Sequence, residues 1–124
     1  MRASGKPSAK QRDLFGGRGV VEVWDLLAAQ HAPPFSAVIA CALEPSGVVG
    51  RHVQQRDPEI VVGIAGEGEA LVDGSTHALT SGAVVYLAHG QTLSIRNLSE
   101  TEVLDYLIIK SRAQPASGGG GGAP

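Results

Sequence analysis

Arg51-His52-Val53-Gln54-Gln55-Arg56-Asp57-Pro58-Glu59 carries an imidazole, an amide and a carboxyl group on either side of a turn. Side chains alternate faces along an extended chain, so His52 and Gln54 share one face. Asp57-Pro58 favours a chain reversal, and Glu59 opens whatever follows it. A hairpin here gathers the three groups on one side, where they can bind a metal, hold a polar ligand or move protons. Taken alone, the nine residues describe a solvated hairpin edge at least as well.

Outward from this hairpin the chain reads as strand after strand. Val48–Gln54 follows the turn Pro45-Ser46-Gly47, and Glu59–Ala65 and Glu69–Val72 flank Gly66 and Gly68. Asp73-Gly74 is a two-residue hairpin signal leading into Thr76–Leu79. Ala83–Leu87, Thr92–Asn97 and Val103–Ile109 follow, while Val20–Leu27 and Phe35–Leu43 precede. Phe35, Ala37, Ile39, Cys41 and Leu43 fall on one face at period two. The last strand is apolar on both faces, with Leu104, Tyr106 and Ile108 opposite Val103, Leu107 and Ile109, and so needs cover on both sides. Strands at this spacing, with Gly, Pro, Asn or Asp between them and no helical periodicity, predict an all-β antiparallel sandwich or jelly-roll barrel.

The 124 residues suffice for one domain with its own core. Residues 1–16 are expected to form a disordered basic tail, 17–112 the barrel, and 113–124 a flexible Gly-rich tail. The first twelve residues carry four basic side chains and no acid, and the rest carry six basic and twelve acidic. An acidic body argues against nucleic-acid binding. No apolar run is long enough to span a bilayer, and no signal-like stretch follows the basic start. A single cysteine, Cys41, suits a reducing cytoplasm, and its place on an apolar strand face reads as core. Trp24, Phe35 and Tyr106 read as packing or interface residues.

Two motifs and the gap between them resemble the cupin family. His52, Gln54, Glu59 and Gly66 fall at the positions of its first motif, which carries two histidines, a glutamate and a glycine. Gly82, Ala88, Gly90, Leu93 and Asn97 lie in register with its second, which runs glycine, proline, glycine, histidine, asparagine. The glycines at 66, 82 and 90 lie at chain reversals, where positive φ costs glycine little. The resemblance implies a cupin barrel over residues 20–110 and a metal site formed by the two histidines and glutamate of the first motif with the histidine of the second. Carried over residue by residue, His52 and Glu59 are kept, Gln54 replaces one histidine and Leu93 the other. A neutral amide oxygen is a poor partner for transition metals, and leucine cannot coordinate at all. The expected metal set of His52, Gln54 and Glu59 is therefore incomplete, and the expectation is no cofactor or a weakly bound divalent metal. His89 and His77 are the other nitrogen donors considered, with surface positions expected for His89 and for His31.

Three functions follow as expectations. The first is a small-molecule site lined by His52, Gln54, Glu59 and Leu93, with His52 or Glu59 as the catalytic base of an isomerase or cyclase. The second is a metal-dependent, dioxygenase-like enzyme with a non-standard third ligand. The third is a sensory or structural dimer with a filled barrel. In each, a homodimer is expected, because the final strand needs covering twice.

Overall fold

The computed structural model describes residues 5–54 and 56–112. Among the described residues ten strands, all paired antiparallel, form two sheets. In chain order they are β1 Ala9–Arg12, β2 Val20–Asp25, β3 Phe35–Leu43, β4 Val48–Val53, β5 Glu59–Ala65, β6 Gly68–Val72, β7 Ser75–Leu79, β8 Val84–Leu87, β9 Thr92–Asn97 and β10 Leu104–Ser111. A single 3-10 turn at Leu14–Gly16 precedes β2. One sheet runs β1-β2-β3-β10-β5-β8 and the other β4-β9-β6-β7. This is the all-β barrel that the spacing of turns and apolar runs predicts.

The strands pack with the period their sequences show. Along β5, Glu59, Val61 and Gly63 are buried while Ile60, Val62 and Ile64 are only half-buried on the other face. Leu93, Ile95 and Asn97 of β9 and Ala70 and Val72 of β6 turn inward from the opposite sheet. The core joins Val21, Leu43, Val61, Leu79, Leu87, Leu93, Ile95 and Leu104 in one cluster. The β6–β7 hairpin closes through Asp73-Gly74, both at positive φ (49° and 83°), which is the backbone of a two-residue turn of the type predicted. Gly66, Gly82 and Gly90 also adopt positive φ, at 99°, 87° and 89°.

Asn97 ties the two sheets together at one end. Its buried amide nitrogen donates to the carbonyls of Leu43, Glu44 and Glu102 at 3.0, 3.1 and 2.8 Å. Its oxygen accepts from the Ser99 amide at 2.9 Å. The asparagine of the second motif thus satisfies turn carbonyls that burial would otherwise leave unpaired.

The N-terminal segment departs from expectation. Residues 9–12, assigned to a disordered tail, form β1 and pair with β2 in the register Ala9↔Val23 to Arg12↔Val20. Leu14 packs on the core, and Lys10 lies 3.4 Å from Glu22. The segment then crosses β4 at very close range. A Cβ on Gly50 would overlap the Phe15 carbonyl, and one on Gly17 would overlap the Val48 carbonyl, so two glycines permit the crossing. The tail expected from residue 113 lies outside the described residues. Removing residues 1–16 should lower stability by about 1–3 kcal/mol, chiefly through Leu14 and the lost β1 pairing. That corresponds to roughly 5–15 °C in melting temperature for a domain of this size. An unchanged melting temperature would show that β1 and Leu14 contribute nothing.

Candidate functional site

Between the sheets lies a cavity of about 740 Å³. His52, Gln54, Glu59 and Leu93, the four residues singled out from the sequence, all line it. The barrel is therefore not filled, as a purely structural role would have it. The cavity opens to solvent beside Gln11, Phe15, Val53 and Arg56, which are exposed members of its lining.

β4 and β5 do not pair as the expected hairpin. β4 bonds β9 in the smaller sheet, and β5 bonds β10 and β8 in the larger. The connection between them crosses from one sheet to the other, and His52, Gln54 and Glu59 meet as lining of the same cavity. His52 pairs in register with Leu93 of β9. Its Nδ1 lies 3.1 Å from the Gly50 carbonyl oxygen. A carbonyl only accepts, so Nδ1 carries the hydrogen and Nε2 keeps a lone pair for a proton or a ligand. Phe15 stacks on the imidazole, with ring centroids 4.0 Å apart and planes inclined by 17°. One face of the His52 ring is thereby covered by the N-terminal segment.

Glu59 is buried, with 4% of its surface exposed. In register it sits between Leu87 of β8 and Lys110 of β10. Lys110 Nζ lies 3.8 Å from Glu59 Oε1, a loose ion pair with the lysine partly in solvent. Gln54 donates from its amide nitrogen to the Asp57 carbonyl and also hydrogen-bonds Glu59. Its backbone is fixed by Gln91 and Gly90 at 2.8 and 2.7 Å. Burial raises the Glu59 pKa above the ordinary glutamate value, and Lys110 and Gln54 only partly offset it. A carboxyl group with a raised pKa is a stronger base when ionised than an exposed one.

Deeper in the same wall, Cys41 and Tyr106 face each other across β3 and β10 and share a hydrogen bond. Burial pushes the Cys41 thiol up to about 12 and the Tyr106 hydroxyl well above its usual value. Both stay protonated at neutral pH, so Cys41 is no thiolate nucleophile.

No protein-family model and no curated protein matches the chain. Solved structures do. A predicted oxalate decarboxylase from Thermotoga maritima superposes with a TM-score of 0.80 at 25% identity, covering 90% of this chain and 97% of that one. A Cupin 2 conserved barrel domain protein from Salinispora arenicola gives 0.68 at 20% identity, covering 91% and 92%. The chain has the cupin fold. A sugar phosphate isomerase from the cupin superfamily, from Silicibacter pomeroyi, gives 0.64 at 20% identity over 75% of this chain and 60% of that one.

Within the cupin barrel the metal question turns on which donors converge. Among the described residues no three His, Cys, Asp or Glu side chains come together as a metal site. Leu93 faces the cavity, 1% exposed, where a ligand of the second motif would be needed. Gln54 uses its amide nitrogen, which cannot coordinate, to hold Asp57 and Glu59. His77, the other nitrogen donor, does not turn into the barrel; it is exposed on β7, an edge strand of the smaller sheet. His89 and His31 are exposed too. The residues present therefore do not fit a tightly held transition metal.

Three lining residues lie beyond the sequence reading. Tyr106, which reads as a packing or interface residue, does lie in the buried core, and Lys110 sits just past the predicted end of β10; both also share the face of Ile108 that lines the cavity. Continuing the period-two face of Leu104, Tyr106 and Ile108 by one step reaches Lys110. Phe15 had no such signal.

The raised Glu59 pKa has a consequence for stability. A carboxyl group whose folded pKa exceeds its unfolded value stabilises the fold below the unfolded pKa, and that contribution is lost as pH rises through the folded pKa. Glu59→Gln fixes the neutral form. Its melting temperature relative to the natural protein should therefore climb from pH 4 to pH 8, and a pH-independent difference would contradict the burial argument.

Proposed function

We propose that the cavity is a small-molecule site that works by proton transfer without a tightly bound metal, in an isomerase- or cyclase-type reaction. The observation that carries this reading is the placement of Glu59: a buried carboxyl, held by Gln54 and Lys110, lining an open cavity that His52 also lines. Glu59 is the base that removes a proton from carbon, and His52 exchanges a proton with the neighbouring oxygen. One structural neighbour is a sugar phosphate isomerase, which accords with this chemistry. A reducing, cytoplasmic setting suits the single buried thiol.

We also infer a homodimer, formed through the outer face of the larger sheet. Ile60, Val62, Leu107 and Ile109 lie half-buried there, and Val84 and Tyr86 are 62% and 63% exposed. None of these six is charged, so the patch complements another copy of itself better than it complements a charged partner. Tyr86→Glu should convert a species of twice the chain mass in light scattering into one of the chain mass. A natural protein that is monomeric at all concentrations would remove this part of the reading.

The chemistry is tested by following deuterium entry from D2O by NMR into a panel of sugar phosphates, aldoses and oxo acids. The natural protein, stripped with chelator, should exchange the hydrogen beside the carbonyl of at least one compound. Glu59→Gln should slow that exchange by about 100-fold or more. Exchange that vanishes on chelation and returns with added zinc or manganese would put the metal-dependent reading in its place. Exchange unaffected by Glu59→Gln would remove Glu59 as the base.

A further inference from the structure

The lining of the cavity is uneven in a way that specifies a ligand. Its interior wall is apolar, built from Val21, Val23, Ile39, Val49, Ile95 and Ile108. The charged lining residues belong to the β4–β5 connection, the start of β5 and the end of β10: Arg56 is exposed, Asp57 and Lys110 are half-buried, and Glu59 is buried. The two acids there are not equivalent to the two bases. Asp57 Oδ2 accepts from the Ser36 hydroxyl at 2.6 Å, and Glu59 is buried and hydrogen-bonded to Gln54. Lys110, by contrast, is held only loosely by Glu59 at 3.8 Å, and its ammonium has three N–H groups to donate. Arg56 is exposed at the same opening, and a guanidinium offers a planar fork that matches a carboxylate.

We propose that the cavity takes an amphipathic monocarboxylate, its carboxylate held at the rim by Lys110 and Arg56 and its apolar body enclosed by the interior wall. This rests on the reading of the cavity as a small-molecule site and adds the substrate class. A volume of about 740 Å³ lies in the range of pockets that enclose ligands of drug size, and a two-carbon dianion would leave most of the apolar wall uncovered. A neutral apolar ligand would make no use of the charge on Lys110 and Arg56, and a polyol would strand its hydroxyls against aliphatic side chains. Anchored at Lys110, the ligand places the carbon next to its carboxylate end close to Glu59, the group that would act on it.

Calorimetric titration with 3-phenylpropanoate, its neutral amide and oxalate separates these features. The natural protein should bind 3-phenylpropanoate at least tenfold more tightly than the amide and more tightly than oxalate. Lys110→Gln should weaken 3-phenylpropanoate at least tenfold and leave the amide unchanged, while Lys110→Arg keeps the charge and the binding. Melting curves of both variants establish that they are folded. Equal affinity for acid and amide, or tighter binding of oxalate, overturns the proposed ligand class, as does a Lys110→Gln variant that binds normally. Each of those results leaves the deuterium-exchange test of Glu59 standing on its own. Failure of both acid and amide to bind overturns the ligand class too, and the exchange panel then decides separately whether the cavity is a site at all.

Discussion

A carboxylate inside a protein wall loses its hydration, and the protein must either supply partners or let the group hold its proton. Glu59 stands at that balance. It is buried on β5, with one partly solvated ammonium at 3.8 Å and one amide donor from Gln54. The surrounding architecture serves this one position. The β4–β5 connection crosses from the smaller sheet to the larger and brings Glu59 to the cavity that His52 and Gln54 also line. The pairing of β5 with β10 sets Lys110 opposite it in register. Leu87 of β8 closes its other flank. The opposite sheet contributes Leu93 and Ile95, which leave the space in front of it apolar.

The same balance separates this barrel from one built to hold a metal. A transition metal would neutralise Glu59 outright and would need a third strong donor near His52. Leucine at 93 and an amide nitrogen turned towards Asp57 do not supply one. What remains is a carboxyl whose charge is only partly compensated. That is the electrostatic condition for a group that exchanges protons, and it leaves Lys110 able to meet a second anion. Phe15 adds a further constraint by covering one face of His52, so a ligand reaches the imidazole from the cavity side.

Much of this was legible in the residues. Phe35–Leu43, Glu59–Ala65 and Thr92–Asn97 are strands with the bounds that alternation assigns them. The turn at Asp73-Gly74 follows from two residues that tolerate positive φ. His52, Gln54, Glu59 and Leu93 do share one cavity, though not through the expected hairpin: β4 and β9 bring His52 and Leu93 from the smaller sheet, and β5 brings Glu59 from the larger. β1 was not legible for a physical reason. Ala-Lys-Gln-Arg is polar and mostly exposed, and it is held by backbone pairing that any sequence can make. The Phe15–His52 stack depends on the close crossing at Gly17 and Gly50, a long-range approach with no local pattern. Lys110 was hidden differently. A lysine at a strand end reads as solvated, and only the register with Glu59 gives it a role.

The central claim concerns one ionisation, and it can be observed directly. With carbon-13 in the glutamate carboxyls, and Glu59→Gln used to assign the resonance, the pKa of Glu59 can be read by NMR in the natural protein and in Lys110→Gln. The account requires a value clearly above that of an exposed glutamate, rising further when the lysine charge is removed. A pKa at or below the ordinary value, or one indifferent to Lys110, would contradict it.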